Sequence, residues 1–587
     1  MNQTEKNLSY YINEEKNLPQ LQNNPLKISI LSSFTVNGLS ETLKVKCFEK
    51  DIPSVTYSGG YKQYNQEILD PKSGLNSFEP EILFIILDPR TLFGDFFYSY
   101  HPNEITSRKK AVDEKILEIK NLCMKFLENH NCKIIISNLN IPYASQFGIC
   151  SSKINFDVKE MISKFNEELQ KLFFNDSNIF IHDFNSYVHK YGEKNVFNYK
   201  QFFVGDIQVS FDYIPKLANE FLGYILPLRS KNKKCIVLDL DNTLWGGVVG
   251  EDGFNGIHLG PTKPGNSYVE FQKRLLSLHE RGIILAINSK NNYDDAIEVI
   301  NNHPSMILRE KHFGCIKINW NDKISNLKEI SSELNIGLDS LVFLDDDAFN
   351  CEIVQKALPE IHTIHLPNDS SQYVDILLEL QDFNVLQITN EDFSRGKLYT
   401  TERKRTELKQ STTSIDKYME DLQQEIILKN ANEFSIPRIS QLTLKTNQFN
   451  LTTKRYQESD INKMDSDKNF VIGTAQVIDK FGDSGISGVF IIKKTPSEWF
   501  LDTFLLSCRV MGRGVETAII ENIIHEAEKN GIKQIKAQFI PTNKNKPSEN
   551  FLLDSGFKEE NDFWIRNVDK KQELPSYINV EKNDFIC

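Results

Sequence analysis

The chain has 587 residues, of which 40% are hydrophobic and 25% charged, and its formal net charge is −12. This length excludes a single hydrophobic core, so two to four domains are expected, and the acidic balance argues against a nucleic-acid partner. No signal segment or bilayer-spanning run is visible and the nine cysteines form no CxxC pair, so we expect a cytoplasmic protein without a membrane partner, a zinc site or a disulfide framework.

The first part of the chain, residues 27–225, alternates short apolar runs with helical stretches. This alternation predicts a parallel sheet covered by helices. A basic, polar patch at 229–234 then marks a boundary. The expected strands are 27–35, 81–89, 132–140 and 178–186, with a helix over 113–130.

The second part, residues 235–385, repeats the same alternation and therefore predicts a second parallel sheet. Its expected strands are the apolar run that opens at 235 and ends at Asp239 and Asp241, then 283–289 and 340–347, and its expected helices are 267–282, 292–302 and 323–335. Residues 392–410 form a charged helical linker in this interpretation. The last part, 426–570, mixes strands with a helix over 514–530.

Two carboxylates, Asp239 and Asp241, stand where the first strand of the second sheet ends. Open α/β sheets place their ligand crevices at that edge, and positions i and i+2 of a strand face the same side. A carboxylate nucleophile beside a second carboxylate that takes and gives a proton is the pair that acyl-phosphate chemistry needs. Thr243 and the glycines at 246 and 247 offer donors for an anion. The alternative is an Asp-rich turn, since Asp is common after strands.

Further polar residues follow the later strands in an order that can converge on one crevice. Ser289 ends a strand and could donate to a phosphate oxygen, and Lys323 opens a helix and could balance charge. Asp345 and Asp346 end a third strand and could hold Mg²⁺, which prefers oxygen ligands. Taken singly, each residue also fits a capping serine, a solvated lysine or a charged loop.

The order DxDxT, Ser, Lys, DD resembles the haloacid dehalogenase (HAD) superfamily of aspartate-dependent phosphotransferases. More narrowly, LDLDNTLWGGVVGEDG, LAINSKNN, HPSMILRE, INWNDKISNL and VFLDDD are similar to the FkbH-like family, as are the segments at 438–456 and 505–516. The resemblance covers about residues 235–560 and implies the following roles. Catalysis would use Asp239 as nucleophile, Asp241 as acid/base and Lys323; Mg²⁺ would be held by Asp239, Asp241, Asp345 and Asp346; phosphate and substrate would contact Thr243, Ser289, Lys290 and Asn291.

The resemblance also implies a reaction. FkbH-like proteins dephosphorylate D-1,3-bisphosphoglycerate and load the glyceryl group onto the phosphopantetheine thiol of an acyl carrier protein in polyketide-type biosynthesis. The alternatives are a HAD phosphatase for another small phosphorylated metabolite and a carrier-protein recruitment scaffold.

Two departures from the family pattern bear on the glyceryl step. Asn288 stands where many relatives carry a cysteine, so a thioester cannot form there, although its amide could donate to an oxyanion. DAFN follows Asp346 in place of the family's Asn-Pro and acidic residue. We expect the carrier thiol to attack the acyl phosphate directly; Cys508 is the other candidate thiol.

The segment RVMGRG fits the R-x-x-G-x-G/A turn of acyl-CoA N-acyltransferases of the GNAT type, where a helix N-terminus cradles a pyrophosphate. Residues 543–557 resemble a second signature of that fold. The turn is therefore a candidate dock for the carrier arm, through Arg509, Gly512, Arg513 and Gly514. Cys508 beside it is a candidate acyl thiol, or a small buried hydrophobe.

The N-terminal region weakly resembles an SGNH hydrolase, with Ser33 after the first strand and Asn138 or Asn140 after a later one. A working enzyme would need a late histidine to activate the serine, but the slot at 205–210 carries Val209; His182 and His189 are the remaining candidates. We expect a non-catalytic domain. The predicted fold is α/β with three domains: an SGNH-like α/β domain at 1–228, a HAD Rossmann-like α/β core at 229–389 and a GNAT-like α+β domain at 426–587. A helical linker at 390–425 joins the last two.

Overall fold

The structure is a computed structural model that divides into two compact units, Met1–Lys231 and Asn232–Cys587. Fourteen of the 36 residues of the predicted linker at 390–425 lie outside the described residues. No helix among those that are described is both long and apolar enough to cross a bilayer. The structure describes residues 6–19, 24–388, 414–495, 498–560, 562–569, 572–583 and 585, with single positions 392, 393, 396, 399, 401, 403, 405, 408, 409 and 412.

The first unit is built on a parallel sheet whose described strands run in the order β2-β1-β3-β4-β5. Its strands are β1 (Leu26–Ser32), β2 (Ser54–Ser58), β3 (Ile82–Ile86), β4 (Lys133–Ser137) and β5 (Ile179–His182). Its helices are α1 (Leu8–Lys16), α2 (Leu39–Phe48), α3 (Tyr64–Leu69), α4 (Gly74–Phe78), α5 (Pro89–Phe93), α6 (Asp95–Tyr98), α7 (Ile105–Asn129), α8 (Val158–Phe173), α9 (Phe184–Tyr191), α10 (Glu193–Val196), α11 (Tyr199–Gly205) and α12 (Ile214–Leu228).

Both faces of this sheet are covered, because successive side chains of a strand point to opposite faces. Ile30 of β1 belongs to a core that includes Phe221 of α12. Leu31, the next residue, belongs to a second core with Phe165 of α8. The apolar runs that predicted strands are thus the β1, β3, β4 and β5 of the structure.

The second unit begins with another parallel sheet, in the order β10-β9-β6-β7-β8. Its strands are β6 (Cys235–Leu238), β7 (Ile284–Ser289), β8 (Phe313–Ile318), β9 (Leu341–Asp345) and β10 (His362–His365). Its helices are α13 (Val249–Asp252), α14 (Gly265–Glu280), α15 (Tyr293–Asn302), α16 (Lys323–Glu333), α17 (Ala348–Ala357) and α18 (Tyr373–Leu378).

Strand β6 lies in the centre of this sheet and is buried on both faces. Ile236 and Leu238 pack into one core and Cys235 and Val237 into the other. This double burial explains why the sequence there is a continuous apolar run rather than an alternating one. The side chains that follow β6 therefore leave the middle of the sheet edge.

The C-terminal part of the second unit is a mixed sheet in the order β17-β18-β16-β15-β14-β13-β11-β19, with β12 paired to β15. Its strands are β11 (Glu425–Asn430), β12 (Phe449–Asn450), β13 (Phe470–Asp479), β14 (Gly482–Lys494), β15 (Trp499–Leu506), β16 (Gln534–Ala537), β17 (Lys558–Glu560), β18 (Phe563–Asn567) and β19 (Asn579–Asn583). Its helices are α19 (Ile415–Leu422), α20 (Ile436–Lys445), α21 (Glu458–Asp465), α22 (Val515–Lys529) and α23 (Phe551–Asp554).

Strands β15 and β16 are parallel and paired only over Trp499–Leu501. Beyond Leu501 the two strands no longer pair with each other, and Leu451 lies between them instead. Leu451 N donates to Phe504 O of β15 at 3.1 Å, and Ile540 N, which follows β16, donates to Leu451 O at 2.8 Å. The three sheets confirm the expectation of a multi-domain α/β fold.

Candidate active site

The predicted carboxylates gather at the carboxyl edge of the β6–β9 sheet. Leu238 of β6 is in register with Ile287 of β7 and with Leu344 of β9. The residues just beyond these three positions, Asp239, Asn288–Ser289 and Asp345, therefore emerge side by side. Asp239 N donates to Leu344 O at 3.1 Å, which holds the start of the loop against β9.

Lys323 lies between two of these carboxylates. Its Nζ is 2.7 Å from Asp239 Oδ1 and 3.1 Å from Asp345 Oδ2, and its side chain is only 5% exposed. Burial by itself would lower the pKa of Lys323, but the charges of Asp239 and Asp345 outweigh burial and raise it. The ammonium group therefore stays charged and offsets the negative charge of the site.

The carboxylates of Asp239, Asp345 and Asp346 each offer one oxygen, and these oxygens lie within 4.8 Å of one another. Burial, together with the charges of Asp239 and Asp345, raises the pKa of Asp346 to about 7. Burial and the Asp239 charge also raise the pKa of Asp345. Asp345 Oδ2 is buried, and its contact with Lys323 Nζ at 3.1 Å is an ion pair without hydrogen-bond geometry. A hard divalent cation would relieve the repulsion among the three carboxylates and could take this oxygen as a ligand, so the donor set fits Mg²⁺.

Asp241, the fourth predicted metal ligand, is not in this group of oxygens. Its carboxylate accepts hydrogen bonds from Trp245 Nε1 at 2.8 Å, Val249 N at 3.1 Å and Asn291 Nδ2 at 2.8 Å. Burial raises its pKa, with a smaller contribution from the Asp239 charge. A carboxyl held in this way can keep a proton and release it, as the predicted acid/base role requires. Its side chain as a metal ligand stays a prediction.

The four residues that were predicted to contact phosphate and substrate differ in how deeply they are buried. Thr243 is fully buried, and its hydroxyl has no hydrogen-bond partner among the described residues. Ser289, the last residue of β7, is 1% exposed, and Asn291 is held by Asp241. Lys290 is exposed. The structure thus brings all four to the edge that carries Asp239.

Three residues that support the site were not predicted in that role, namely Asn288, Asn326 and Trp245. Asn288 is fully buried, donates to Lys323 O at 3.0 Å and accepts from Asn326 Nδ2 at 3.0 Å, while its own carbonyl accepts from Lys323 Nζ at 2.7 Å. The side chain therefore holds the start of α16 instead of being open to an oxyanion, which corrects the expectation for Asn288. Trp245 anchors Asp241. The sequence signals for the two asparagines were indirect. Asn288 is an uncharged polar residue inside an apolar strand, and Asn326 is an asparagine three positions after Lys323.

The structure does not bring Cys508 to the carboxylates. Cys508 O accepts from Asn335 Nδ2 at 2.8 Å, and Asn335 lies in the loop between α16 and β9, at the amino edge of the same sheet. The length of β6 alone, four residues, separates the two edges by about 13 Å.

The predicted carrier-arm turn is only partly suited to an anion. Gly512 and Gly514 have φ of +70° and +76°, which glycine adopts without strain, and α22 begins at the next residue. Arg513, however, is buried and its Nη1 lies 3.4 Å from Asp479 Oδ2, beside the Arg405–Asp479 pair. Its guanidinium is a structural partner of Asp479. Arg509 is also buried and donates to Ser507 Oγ at 3.2 Å.

In the first unit, Ser33 lies after β1 as expected, and its hydroxyl accepts from Asp88 N at 2.8 Å. The slot at 205–210 does reach this loop, since Thr35 N donates to Asp206 O at 3.0 Å, and Val209 is buried there. His182 ends β5, which is separated from β1 by β3 and β4, and burial lowers its pKa to about 4; His189 is exposed. A non-catalytic first domain stays a prediction.

Comparisons with known proteins give three results. Residues 27–226 match the family model described as FkbH, N-terminal domain. Comparison with curated proteins finds no match. Among solved structures, the N-terminal part of the protein BF1531 from Bacteroides fragilis, which contains a phosphatase domain complexed with Mg, is 28% identical with a TM-score of 0.59, and the match covers 65% of our chain and 99% of that chain.

Two acetyltransferases match a smaller part of the chain. A putative GNAT-family acetyltransferase from Desulfovibrio desulfuricans is 12% identical with a TM-score of 0.21, covering 24% of our chain and 99% of its own. The ribosomal-protein-S18-alanine N-acetyltransferase from Escherichia coli is 12% identical with a TM-score of 0.21, covering 25% and 97%. The FkbH and BF1531 matches support the resemblance to FkbH-like, HAD-type proteins, and the SGNH resemblance stays a prediction.

Proposed function

We propose that the chain is a Mg²⁺-dependent, aspartate-based phosphotransferase of the HAD type. The observation that carries this proposal is the position of Lys323 Nζ between Asp239 and Asp345, beside Asp346 and at the carboxyl edge of a parallel sheet. The similarity to a domain crystallised with Mg supports the choice of cation. A bound Mg²⁺ would neutralise charge on the transferring phosphoryl group.

In this mechanism an Asp239 oxygen attacks the phosphorus of a phosphate monoester, and the phosphorus–oxygen bond to the substrate breaks. Asp241 gives its proton to the leaving alkoxide and then takes a proton from the water that hydrolyses the aspartyl phosphate, releasing inorganic phosphate. Lys323 stabilises the charge that develops during both steps. The hydrogen bonds from Trp245 and Asn291 keep the Asp241 carboxyl directed at this chemistry.

For the substrate and acceptor, we propose D-1,3-bisphosphoglycerate and the phosphopantetheine thiol of an acyl carrier protein. After loss of the ester phosphate, the acyl phosphate remains an electrophile. The carrier thiolate would attack the acyl carbon, the bond to the second phosphate would break, and a glyceryl thioester would form. Because Asn288 is buried and Cys508 lies at the other edge, direct attack by the carrier thiol is the simplest path.

The first test replaces the nucleophile. We expect Asp239→Asn to abolish phosphate release from the acyl-phosphate substrate with Mg²⁺ present, because an amide cannot form the phosphoenzyme. The exposed Asp375→Asn on α18 serves as a matched control, and thermal melting reports on folding. Undiminished release in Asp239→Asn would rule the mechanism out.

The second test follows the acyl group. The protein is incubated with D-1,3-bisphosphoglycerate and a phosphopantetheinylated carrier, and the carrier is weighed by intact-protein mass spectrometry. A glyceryl adduct on the carrier is the expected result. Free phosphate without the adduct would indicate a phosphatase for a small metabolite, and neither product would indicate a recruitment scaffold.

A further inference from the structure

The second unit contains a cavity of about 520 Å³ at the amino edge of the β6–β9 sheet. Lys233 and Lys234, which precede β6, and the loop 335–340, which precedes β9, form one wall. Residues after α20 and after β15, including Gln448 and Ser507–Arg509, form the other. The cavity therefore lies away from the carboxylates, with the length of the strands between them.

The cavity is strongly basic for a chain of net charge −12. Among the described residues that line it, six carry a positive charge and two, Asp339 and Glu360, a negative one. Several of the cations also have protein partners: Lys544 Nζ lies 2.5 Å from Asp339 Oδ2, Lys445 Nζ lies 3.9 Å from Asp392 Oδ1, and Lys233 Nζ donates to Glu360 O at 3.0 Å. An excess of positive charge in a concave site favours an anionic ligand. The six are Lys233, Lys234, Arg438, Lys445, Arg509 and Lys544.

The remaining wall is rich in carboxamides and apolar side chains. Asn447, Gln448 and Asn543 line it, with Ile336, Leu442 and Leu506 beside them. Gln448 Oε1 is a buried acceptor with no hydrogen-bond partner among the described residues. Leaving such an acceptor unpaired is costly, and an amide N–H of a ligand would satisfy it. The lining thus suits a chain with amide groups, not an inorganic anion alone.

A thiol completes the lining. Cys508 is partly exposed and contributes to the wall, and its Sγ lies 3.8 Å from the hydroxyl of Tyr399. Cationic, carboxamide, apolar and thiol groups therefore occur together in one cavity.

We propose that this cavity binds a phosphorylated, amide-containing thiol arm, with its phosphate among the cations. The identity of the arm as that of a carrier protein rests on the proposed function above. The site differs from the predicted turn at 509–514, because the cavity takes in Arg509 but not Gly512, Arg513 or Gly514. Since the proposed phosphoryl chemistry occurs at the opposite edge of the sheet, the cavity is a second binding site for the arm, separate from the carboxylates.

The test measures binding without turnover. The probe is S-methyl 4′-phosphopantetheine, whose capped thiol cannot be alkylated, and the full chain carrying Asp239→Asn is the protein. We expect binding by calorimetry, weakened at least tenfold in Lys445→Gln/Lys544→Gln. Lys558→Gln, an exposed lysine of β17 with the same charge change, should bind as the parent does. Melting temperatures identify variants that fail to fold.

A second measurement locates the probe. Iodoacetamide alkylation is followed by peptide mapping at Cys508 and at the exposed Cys150 of the first unit. The probe should slow alkylation of Cys508 at least fivefold and leave Cys150 unchanged. Equal rates at Cys508 with and without the probe, or equal protection by inorganic phosphate at the same concentration, would overturn the proposal. Phosphate release by the unmodified protein is measured separately, so a failure of this inference is distinct from a failure of the proposed function.

Discussion

At the scale of single residues, Lys323 is the cation that lets Asp239 and Asp345 lie close together. We expect Lys323→Met to lower phosphate release roughly 10²- to 10³-fold, as loss of one charge-stabilising donor does elsewhere. Loss of one partner of a buried ion pair typically costs about 3–5 kcal/mol, so the melting temperature should also fall. Phosphate assays and thermal melting check both effects.

Lys328→Met is the matched control for this substitution, because Lys328 is an exposed lysine of the same helix. It should retain the activity and the melting temperature of the parent. Equal activity in Lys323→Met and Lys328→Met would remove Lys323 from the mechanism.

Asn288 acts through its neighbours and is a positioning residue. Asn288→Ala removes the hydrogen bonds that the side chain makes with Lys323 O and Asn326 Nδ2 in a fully buried place, which should cost about 1–3 kcal/mol. The free energy of unfolding from urea denaturation of the Mg²⁺-sensitive transition measures this loss. Asn302→Ala, at the exposed end of α15, should change the same free energy by less than about 0.5 kcal/mol, and a similar change in both variants would contradict the role assigned to Asn288.

At the scale of elements, the first turn of α16 determines where Lys323 stands. Asp322 is the N-cap, and its carboxylate accepts from Ser325 N at 2.9 Å and from Ser325 Oγ at 2.6 Å. Asp322→Ala should destabilise this helix by about 1 kcal/mol and lower phosphate release severalfold, because Lys323 loses its fixed position. Asp322→Ser, which can cap as well, should restore both in the same assays. An inactive Ser variant would show that the Asp322 charge, not the cap, matters.

In the two parallel sheets, the strands that the sequence did not predict all lie at an edge, namely β2, β8 and β10. Strand β10 has no fully buried residue, and β2 has one, so neither shows the apolar run that identifies a central strand. Strand β8 mixes Gly314, Cys315 and Lys317 with its apolar residues. Edge strands carry weak patterns because only part of their surface packs against the core.

At the scale of the whole molecule, stability should depend on both pH and Mg²⁺. In the metal-free fold the pKa of Asp346 is raised to about 7 by burial and by the Asp239 and Asp345 charges, whereas the unfolded chain has an ordinary aspartate pKa near ~3.9. Between about pH 4 and pH 7 the folded state therefore binds one more proton than the unfolded chain does. The stability of the folded state falls as pH rises through this range. Mg²⁺ competes with this proton, so it should raise the melting temperature more at pH 8 than at pH 5.5.

Differential scanning with and without Mg²⁺ measures this dependence. Asp346→Asn should remove most of the pH dependence of the Mg²⁺ shift, whereas Asp375→Asn should leave it unchanged. A Mg²⁺ shift that is the same at both pH values in the unmodified protein would contradict the carboxylate cluster as the metal site.

The sequence by itself determined the parallel sheets and the place of the carboxylates. The apolar runs of β6 and β9 end at Asp239 and Asp345, and the carboxyl ends of parallel strands meet at one edge whatever the details of packing. Lys323 could be placed at the same edge because it begins a helix, and the helices of a β–α alternation begin at the edge where the strands end. These inferences depend on local pattern and chain direction, which the sequence contains.

Only the tertiary structure decided which way individual polar side chains point and which edge of the sheet a distant segment reaches. Asn288 faces into the protein because Lys323 O and Asn326, thirty-five and thirty-eight positions later, offer it hydrogen bonds. Cys508 lies at the amino edge because the C-terminal sheet packs where Asn335 can donate to its carbonyl. Both outcomes depend on contacts between residues far apart in the chain, and the free energy of those contacts exists only once the core has brought them together.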